Sequence, residues 1–466
     1  MDRIFNFFWI FAGTLLCFTF CSQADRISLD SSSAAGILLQ GGMDVFRNGS
    51  YNPSAKEITS FRFKATDHFF TTDFVGTISG NQITIRVPFG SVPRLKATFE
   101  NTGIRVQING VTQTSGQTVN DFSSPLTYRV TASDGSVADY GVQAVPIFRL
   151  TDAGQPNCYA TCSTDPGQDA DYSTGVIGSF QSNYKFPGYT NNPVTIDGQS
   201  GLIWKYCAEG MNDTSCGSSM SFTQYSAGGS CNDLNSQNGG AGYAGITHWR
   251  LPNLEELMTL STFKTPSTVH IDLAEFPGGA GEFWTSFSYV LNTAEAWSYD
   301  FSDGFNSTSD KYWGSAYARC VSGGSAPTSS YSDLGNGTIQ DNRTGLIWQK
   351  CSTGQNWSSA SPNCATGTAT THNFSSSLAT CRNLNLAGRS WRLPNVHELR
   401  SLLDFNTTSN QKIDSVAFPN TPNASEFTTS NSIPGGQIYR VNFTNAVINL
   451  SASSSANYVR CVSEGF

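Results

Sequence analysis

One pentapeptide occurs twice in this chain, as Trp249-Arg250-Leu251-Pro252-Asn253 and as Trp391-Arg392-Leu393-Pro394-Asn395. Each copy is followed at the same distance by Glu-Leu, at Glu256-Leu257 and Glu398-Leu399. Proline fixes φ for a helix start, and Asn253 and Asn395 can cap the first turn. The apolar spacing Leu254, Leu257, Met258 and Val396, Leu399, Leu402, Leu403 predicts a short helix with one buried face in each copy.

The flanks repeat as well. Gly201-Leu202-Ile203-Trp204 matches Gly345-Leu346-Ile347-Trp348, Phe276-Pro277 matches Phe418-Pro419, and Arg319-Cys320-Val321-Ser322 matches Arg460-Cys461-Val462-Ser463. Cys207, Cys216, Cys231 and Cys320 match Cys351, Cys364, Cys381 and Cys461. The period of about 144 residues is a domain length and not a solenoid repeat. The chain therefore carries one module twice, at 148–324 and 333–466, with a Gly/Ser/Pro linker at 325–332.

Composition places the chain outside the cytosol. Only 13% of the 466 residues are charged, and the sequence is rich in Gly, Ser, Thr and Asn. A net charge of -8 argues against a nucleic-acid partner. The charge is uneven: 197–324 holds 5 Lys+Arg against 13 Asp+Glu, and 341–466 holds 9 against 6. Matched sets of four cysteines imply a disulfide framework made in an oxidising compartment. Zinc would want close CxxC pairs and repeated histidines, which are absent, so no metal site and no cofactor are expected.

Residues 1–21 read as an export signal, with Arg3 before an apolar run too short for a membrane span with normal flanks. Cys21 is a candidate lipidation site, although Phe20 is bulky for that position; ordinary cleavage and secretion is the alternative. Residues 22–54 form a polar tether. Across 55–147, short alternating runs such as Ile83, Ile85, Val87 and Leu126, Tyr128, Val130 are separated by turn signals, including Asn109-Gly110 and Asp134-Gly135. This pattern predicts an all-β sandwich, and the stretch resembles the bacterial immunoglobulin-like repeats of surface proteins.

Each module is expected to be α+β, with helices followed by antiparallel strands. The expected bridges are Cys207–Cys216 and Cys231–Cys320 in the first copy, and Cys351–Cys364 and Cys381–Cys461 in the second. The long bridges tie a helix to the last strand. Cys158 and Cys162 can close a local bridge. Asp169 and Asp171 read as a solvated acidic loop, since a calcium loop needs more oxygen ligands at set spacing.

The set Asp341-Asn342-Arg343-Thr344-Gly345-Leu346-Ile347-Trp348, Trp391-Arg392-Leu393-Pro394-Asn395, Glu398-Leu399 and Tyr458-Val459-Arg460-Cys461-Val462 resembles the C-terminal domain of the Legionella collagen-like adhesin. The first copy departs from it at Gly198-Gln199-Ser200. The element order is also similar to a C-type-lectin-like fold, which implies a ligand surface built from long loops. The lectin calcium triplets are missing, and the fold's copper oxidase relatives need free cysteines that are here committed to pairs.

Trp204, Trp249, Trp348 and Trp391 are expected as core anchors, and Arg250–Glu256 and Arg392–Glu398 as ion pairs that lock the helix. Ligand-facing candidates are Trp297, Tyr312 and Trp313, which differ between the copies. In the basic copy they are Arg382, Arg389, Arg400, Lys412 and Arg440, which could meet a sulfated glycan. No nucleophile elbow, zinc-protease motif, P-loop or dinucleotide fingerprint occurs. The expectation is an exported surface binding protein and not an enzyme. It would be an adhesin for a host or matrix glycan or protein, with membrane attachment only through a lipid. A structural envelope protein and a secreted polysaccharide-acting enzyme are the alternatives.

Overall fold

A computed structural model describes residues 52–159, 165–172, 178–211, 215–217, 220–263, 269–423 and 426–465. The expected leader, most of the tether, Cys21 and Cys162 lie outside them. No helix among the described residues is long and apolar enough to cross a membrane. The protein is mostly β, with a few short helices and four disulfides between described residues.

The described residues fall into two compact units, with 52–59, 100–113 and 127–140 in the smaller and 60–99, 114–126 and 141–465 in the larger. This division runs through the N-terminal β segment and places both repeated modules in the larger unit. The strands of that segment are β1 (Ile58–Phe63), β2 (Gln82–Pro88), β3 (Arg105–Ile108), β4 (Leu126–Thr131) and β5 (Val137–Ile147). In the smaller unit β3 and β4 pair antiparallel and bury Val106, Ile108, Tyr128 and Val130. In the larger unit Gly141–Ile147 of β5 run parallel to β2, burying Ile83, Ile85, Val87 and Val142. Every second residue turns inward, as the alternation predicts.

In the first module, β6 (Val194–Asp197), β7 (Ile203–Lys205), β8 (Trp249–Arg250) and β12 (Val321–Ser322) share a sheet, in which β12 lies between β7 and β8. Helix α1 (Gln224–Asp233) carries Cys231, and α2 (Leu254–Thr259) follows the pentapeptide. A meander of β9 (Glu282–Ser288), β10 (Glu295–Asp300) and β11 (Phe305–Asp310) follows. The second module repeats this plan with β13 (Thr338–Asp341), β14 (Ile347–Gln349), α3 (Phe374–Arg382), α4 (Val396–Arg400), β15 (Glu426–Ile433), β16 (Gln437–Asn442), β17 (Val447–Ala452) and β18 (Val462–Ser463).

The pentapeptide works as a three-residue node. The Asn253 side chain accepts from the Glu256 N–H at 2.8 Å, and Glu256 accepts from the Asn253 N–H at 2.9 Å, a complete capping box. The same carboxylate accepts two hydrogen bonds from Arg250 at 2.7 Å. Asn395, Glu398 and Arg392 repeat all of it. The four expected disulfides form as paired above. Cys158 is also disulfide-bonded.

Two buried arginines explain the other repeated motifs. Arg319 donates to the Lys205, Tyr206 and Pro277 carbonyls and lies over the Phe276 ring. Arg460 donates to the Gln349 and Lys350 carbonyls and lies over Phe418. Burial lowers each guanidinium to about 9.

The two modules, read from the sequence as one unit carried twice, share a core. One apolar cluster runs through both, joining Trp204, Leu257, Phe263 and Trp297 to Trp348, Leu399, Phe405 and Tyr439. The contacts are reciprocal: Phe263 meets Tyr439 edge-on at 4.8 Å, and Phe405 meets Trp297 at 5.3 Å. Arg400 is buried in this interface and donates to the Met258 carbonyl and to Ser261. The linker is packed too, with the Ala326 N–H on Glu256 and the Pro327 carbonyl accepting from Arg343.

The segment leading into the first module crosses to the second. The Thr151 carbonyl accepts from His397, and the Ala153 carbonyl from the Phe263 N–H. Gln155 accepts from the Ser432 N–H, Gln168 from the Ser432 hydroxyl, and Asp169 from the Asn431 amide at 3.0 Å. Asp169 is therefore buried rather than solvated. Burial, then the carboxylates of Asp152 and Glu398, push it up to about 7. A raised folded value means that stability is greatest below the ordinary carboxylate range and is lost as pH rises through about 7. Asp169→Asn should therefore gain on the parent chain by on the order of 4 kcal/mol above pH 7, and by nothing near pH 3.5. Urea unfolding of both chains across that range measures this.

Candidate functional site

The ligand candidates separate by burial. Tyr312 and Trp313 are 65% and 88% exposed, whereas Trp297 is 2% exposed. Tyr312 and Trp313 sit on the turn that ends β11. Asp310 Oδ1 accepts from both of their N–H groups, at 2.8 and 3.0 Å, and the Gly314 N–H closes on the Asp310 carbonyl. Lys311 anchors the turn from below, donating to the Ser288 hydroxyl and the Thr293 carbonyl. Gly314 packs against buried Trp284, where a Cβ would approach the indole at 3.0 Å.

A third aromatic belongs to the same surface. The Gln224 N–H donates to the Lys311 carbonyl at 3.1 Å, which brings the start of α1 to the turn, and Tyr225 there is 78% exposed. The second module repeats this link, with the Phe374 N–H on the Ser453 carbonyl. The strand registers then place Ser375, Ser454 and Ser455 where the first module has Tyr225, Tyr312 and Trp313. Three rings replace three serines in one copy only. Exposed aromatics held on a rigid turn form a stacking surface with polar edges. Sequence reading missed Tyr225, although the same signal, an aromatic facing a serine in the other copy, was there to find it.

The basic residues do not form a face. Arg400 and Lys412 are buried, Lys412 with its ammonium on the Thr407 carbonyl. Arg382 is exposed and donates to the Pro166 carbonyl; Arg389 donates to the Glu464 carbonyl, and Arg440 to Asn449. Trp297, Arg400 and Lys412 are thus corrections: each was expected at a surface and each serves the interior. Among the described residues no group of His, Cys, Asp or Glu has the geometry of a metal site. Asp300, Asp303 and Asp310 instead accept from backbone N–H groups of their own turns.

A cleft of about 650 Å³ opens where the modules meet, between Asn253 and Phe287 of the first and Asp404, Phe405 and Asp414 of the second, with the linker along one side. It is the size of a small-ligand site.

A family model described as the Lcl C-terminal domain matches residues 193–322 and 337–463, more than half of the chain. One described as SGBP, N-terminal, matches 58–144. No curated protein matches the chain. Among solved structures, a candidate glycoside hydrolase from Bacteroides thetaiotaomicron is 23% identical over 32% of this chain and 33% of its own, with a TM-score of 0.17. The chain thus spans about a third of that protein's length. A candidate secreted protein from Bacteroides fragilis is 18% identical over 20% of this chain and 96% of its own, with a TM-score of 0.15. Neither score carries a fold.

The division between core and surface rings is testable by stability. Trp297→Ala should cost ~3–5 kcal/mol, while Trp313→Ala should stay within ~0.5 kcal/mol of the parent. Chemical denaturation of the two variants checks both.

Proposed function

The chain belongs to the Lcl C-terminal domain family, and we propose that it is a carbohydrate-binding protein of the cell surface, an adhesin for a host or matrix glycan. In this reading an Ig-like spacer (55–147) carries two C-type-lectin-like modules, and the first of them makes the contact. The observation that carries it is the replacement of three serines by Tyr225, Tyr312 and Trp313, all exposed on one tied pair of segments. Sugar rings offer C–H faces that stack on aromatic rings, while their hydroxyls reach polar neighbours such as Gln224 and Lys311. The disulfides support a place outside the reducing cytosol, and the match at 58–144 to a domain type associated with glycan binding supports the ligand class.

A glycan array probed with the full chain should identify a carbohydrate ligand. Trp313→Ala should then weaken the best hit by at least about tenfold, or 1.4 kcal/mol, with an unchanged melting midpoint. Undiminished binding by that variant would contradict the assignment of this surface.

A further inference from the structure

The reciprocal ring contacts relate the two modules as a two-fold axis relates the halves of an isologous dimer. Such a pairing generates each inter-module groove twice. One groove is the 650 Å³ cleft, between Asn253 and Phe287 of the first module and Leu402–Asn406 of the second. Its twin lies between Asn395 and Asn431 of the second module and Leu260–Phe263 of the first. The equivalence holds bond by bond. The Ser286 N–H donates to the Pro252 carbonyl as Ser430 does to Pro394, and Thr262 to His270 as Asp404 to Lys412.

The twin is filled. Residues 151–159 and 165–172 lie in it as described above, and the space left on its first-module side, beside Thr151 and Asp152, is about 140 Å³. The filling segment offers its backbone: the Phe263 N–H donates to the Ala153 carbonyl at 2.7 Å. The counterpart of that donor in the open groove is the Phe405 N–H, which has no acceptor among the described residues although Phe405 is buried. One groove therefore shows which polymer fits this shape, and the other presents the same donor unused.

One carboxylate separates the grooves, since Asp272 in the twin matches Asp414. Within the open one, Glu255 is paired with Arg343 at 2.9 Å, and Arg250 with Glu256. Asp404 and Asp414 face the cleft with no cation within ion-pair distance among the described residues; each uses Oδ1 on backbone N–H groups, and Oδ2 accepts from no group among those residues. Thr262 stands at the position of Asp404 in the twin. The filling segment is acidic, with Asp152, Asp165, Asp169 and Asp171, so the same segment of a second copy would be repelled.

We propose that the open groove binds an extended, cationic polypeptide segment of a partner protein, held as residues 151–155 are held in the twin. The bound strand sets a backbone carbonyl on the Phe405 N–H and a Lys or Arg between Asp404 and Asp414. This site is distinct from the aromatic surface, so either can fail without the other.

The test uses the full chain and fluorescein-labelled peptides of residues 149–157, one with the native sequence and one with Asp152→Lys, in low-salt anisotropy titrations. The lysine peptide should bind saturably and at least tenfold tighter than the native one. The double variant Asp404→Asn, Asp414→Asn should erase that preference. Ser286→Trp, at an exposed position on the groove wall, should abolish binding of both peptides while leaving the melting midpoint and glycan binding unchanged. No saturable binding, or binding indifferent to both variants, would overturn the proposal. So would displacement of the peptide by a neutral oligosaccharide, which would make the groove a sugar site.

Discussion

Phe263 against Tyr439 and Phe405 against Trp297 are the contacts on which the rest of this structure depends. Each module follows its short helix, a few residues on, with a phenylalanine that the other module buries. A single copy has long Ser/Asn loops, two disulfides and a helix of five or six residues. Such a helix has little stability of its own in water and needs tertiary burial. Paired, the two copies cover each other's apolar faces and form one core. The Arg–Glu–Asn node holds each helix at the angle that this burial requires, and the buried Arg319 and Arg460 hold the sheets beneath it.

Duplication followed by divergence gives the paired modules different tasks. In the first, aromatic rings stand where the second has serines, and they stand on a turn braced by Asp310, Lys311 and Trp284. In the second, the equivalent surface is polar and the neighbouring groove is filled by a segment from elsewhere in the chain. One half presents itself to ligands while the other completes the scaffold. The excess of acidic residues in the first copy and of basic residues in the second follows the same division, since Arg400 and Lys412 of the second are spent inside.

What repeated in the sequence was legible. The four bridges, the caps at Asn253 and Asn395, the ion pairs and the tryptophan anchors could be read because each appears twice at constant spacing, with a local physical reason. What did not repeat was harder. Trp297 and Tyr439 hold equivalent places in the two strand registers, and a difference between copies looked like exposure. It arose because each of the two residues packs on the other module's phenylalanine. The filling segment was invisible for a different reason: Gln155 and Ser432 lie 277 residues apart, beyond the reach of periodicity or turn chemistry. The roles of Arg319 and Arg460 were hidden because an arginine beside a cysteine gives no sign that it will be buried among carbonyls.

The shared core makes the two modules a single cooperative body. Amide hydrogen exchange with the disulfides intact, followed peptide by peptide through a urea series, tests this most directly. Peptides from 254–259 and from 396–400 should lose protection together, in one transition with one midpoint. Two separate transitions, with one module still protected after the other has opened, would contradict the shared core and the twin-groove geometry derived from it.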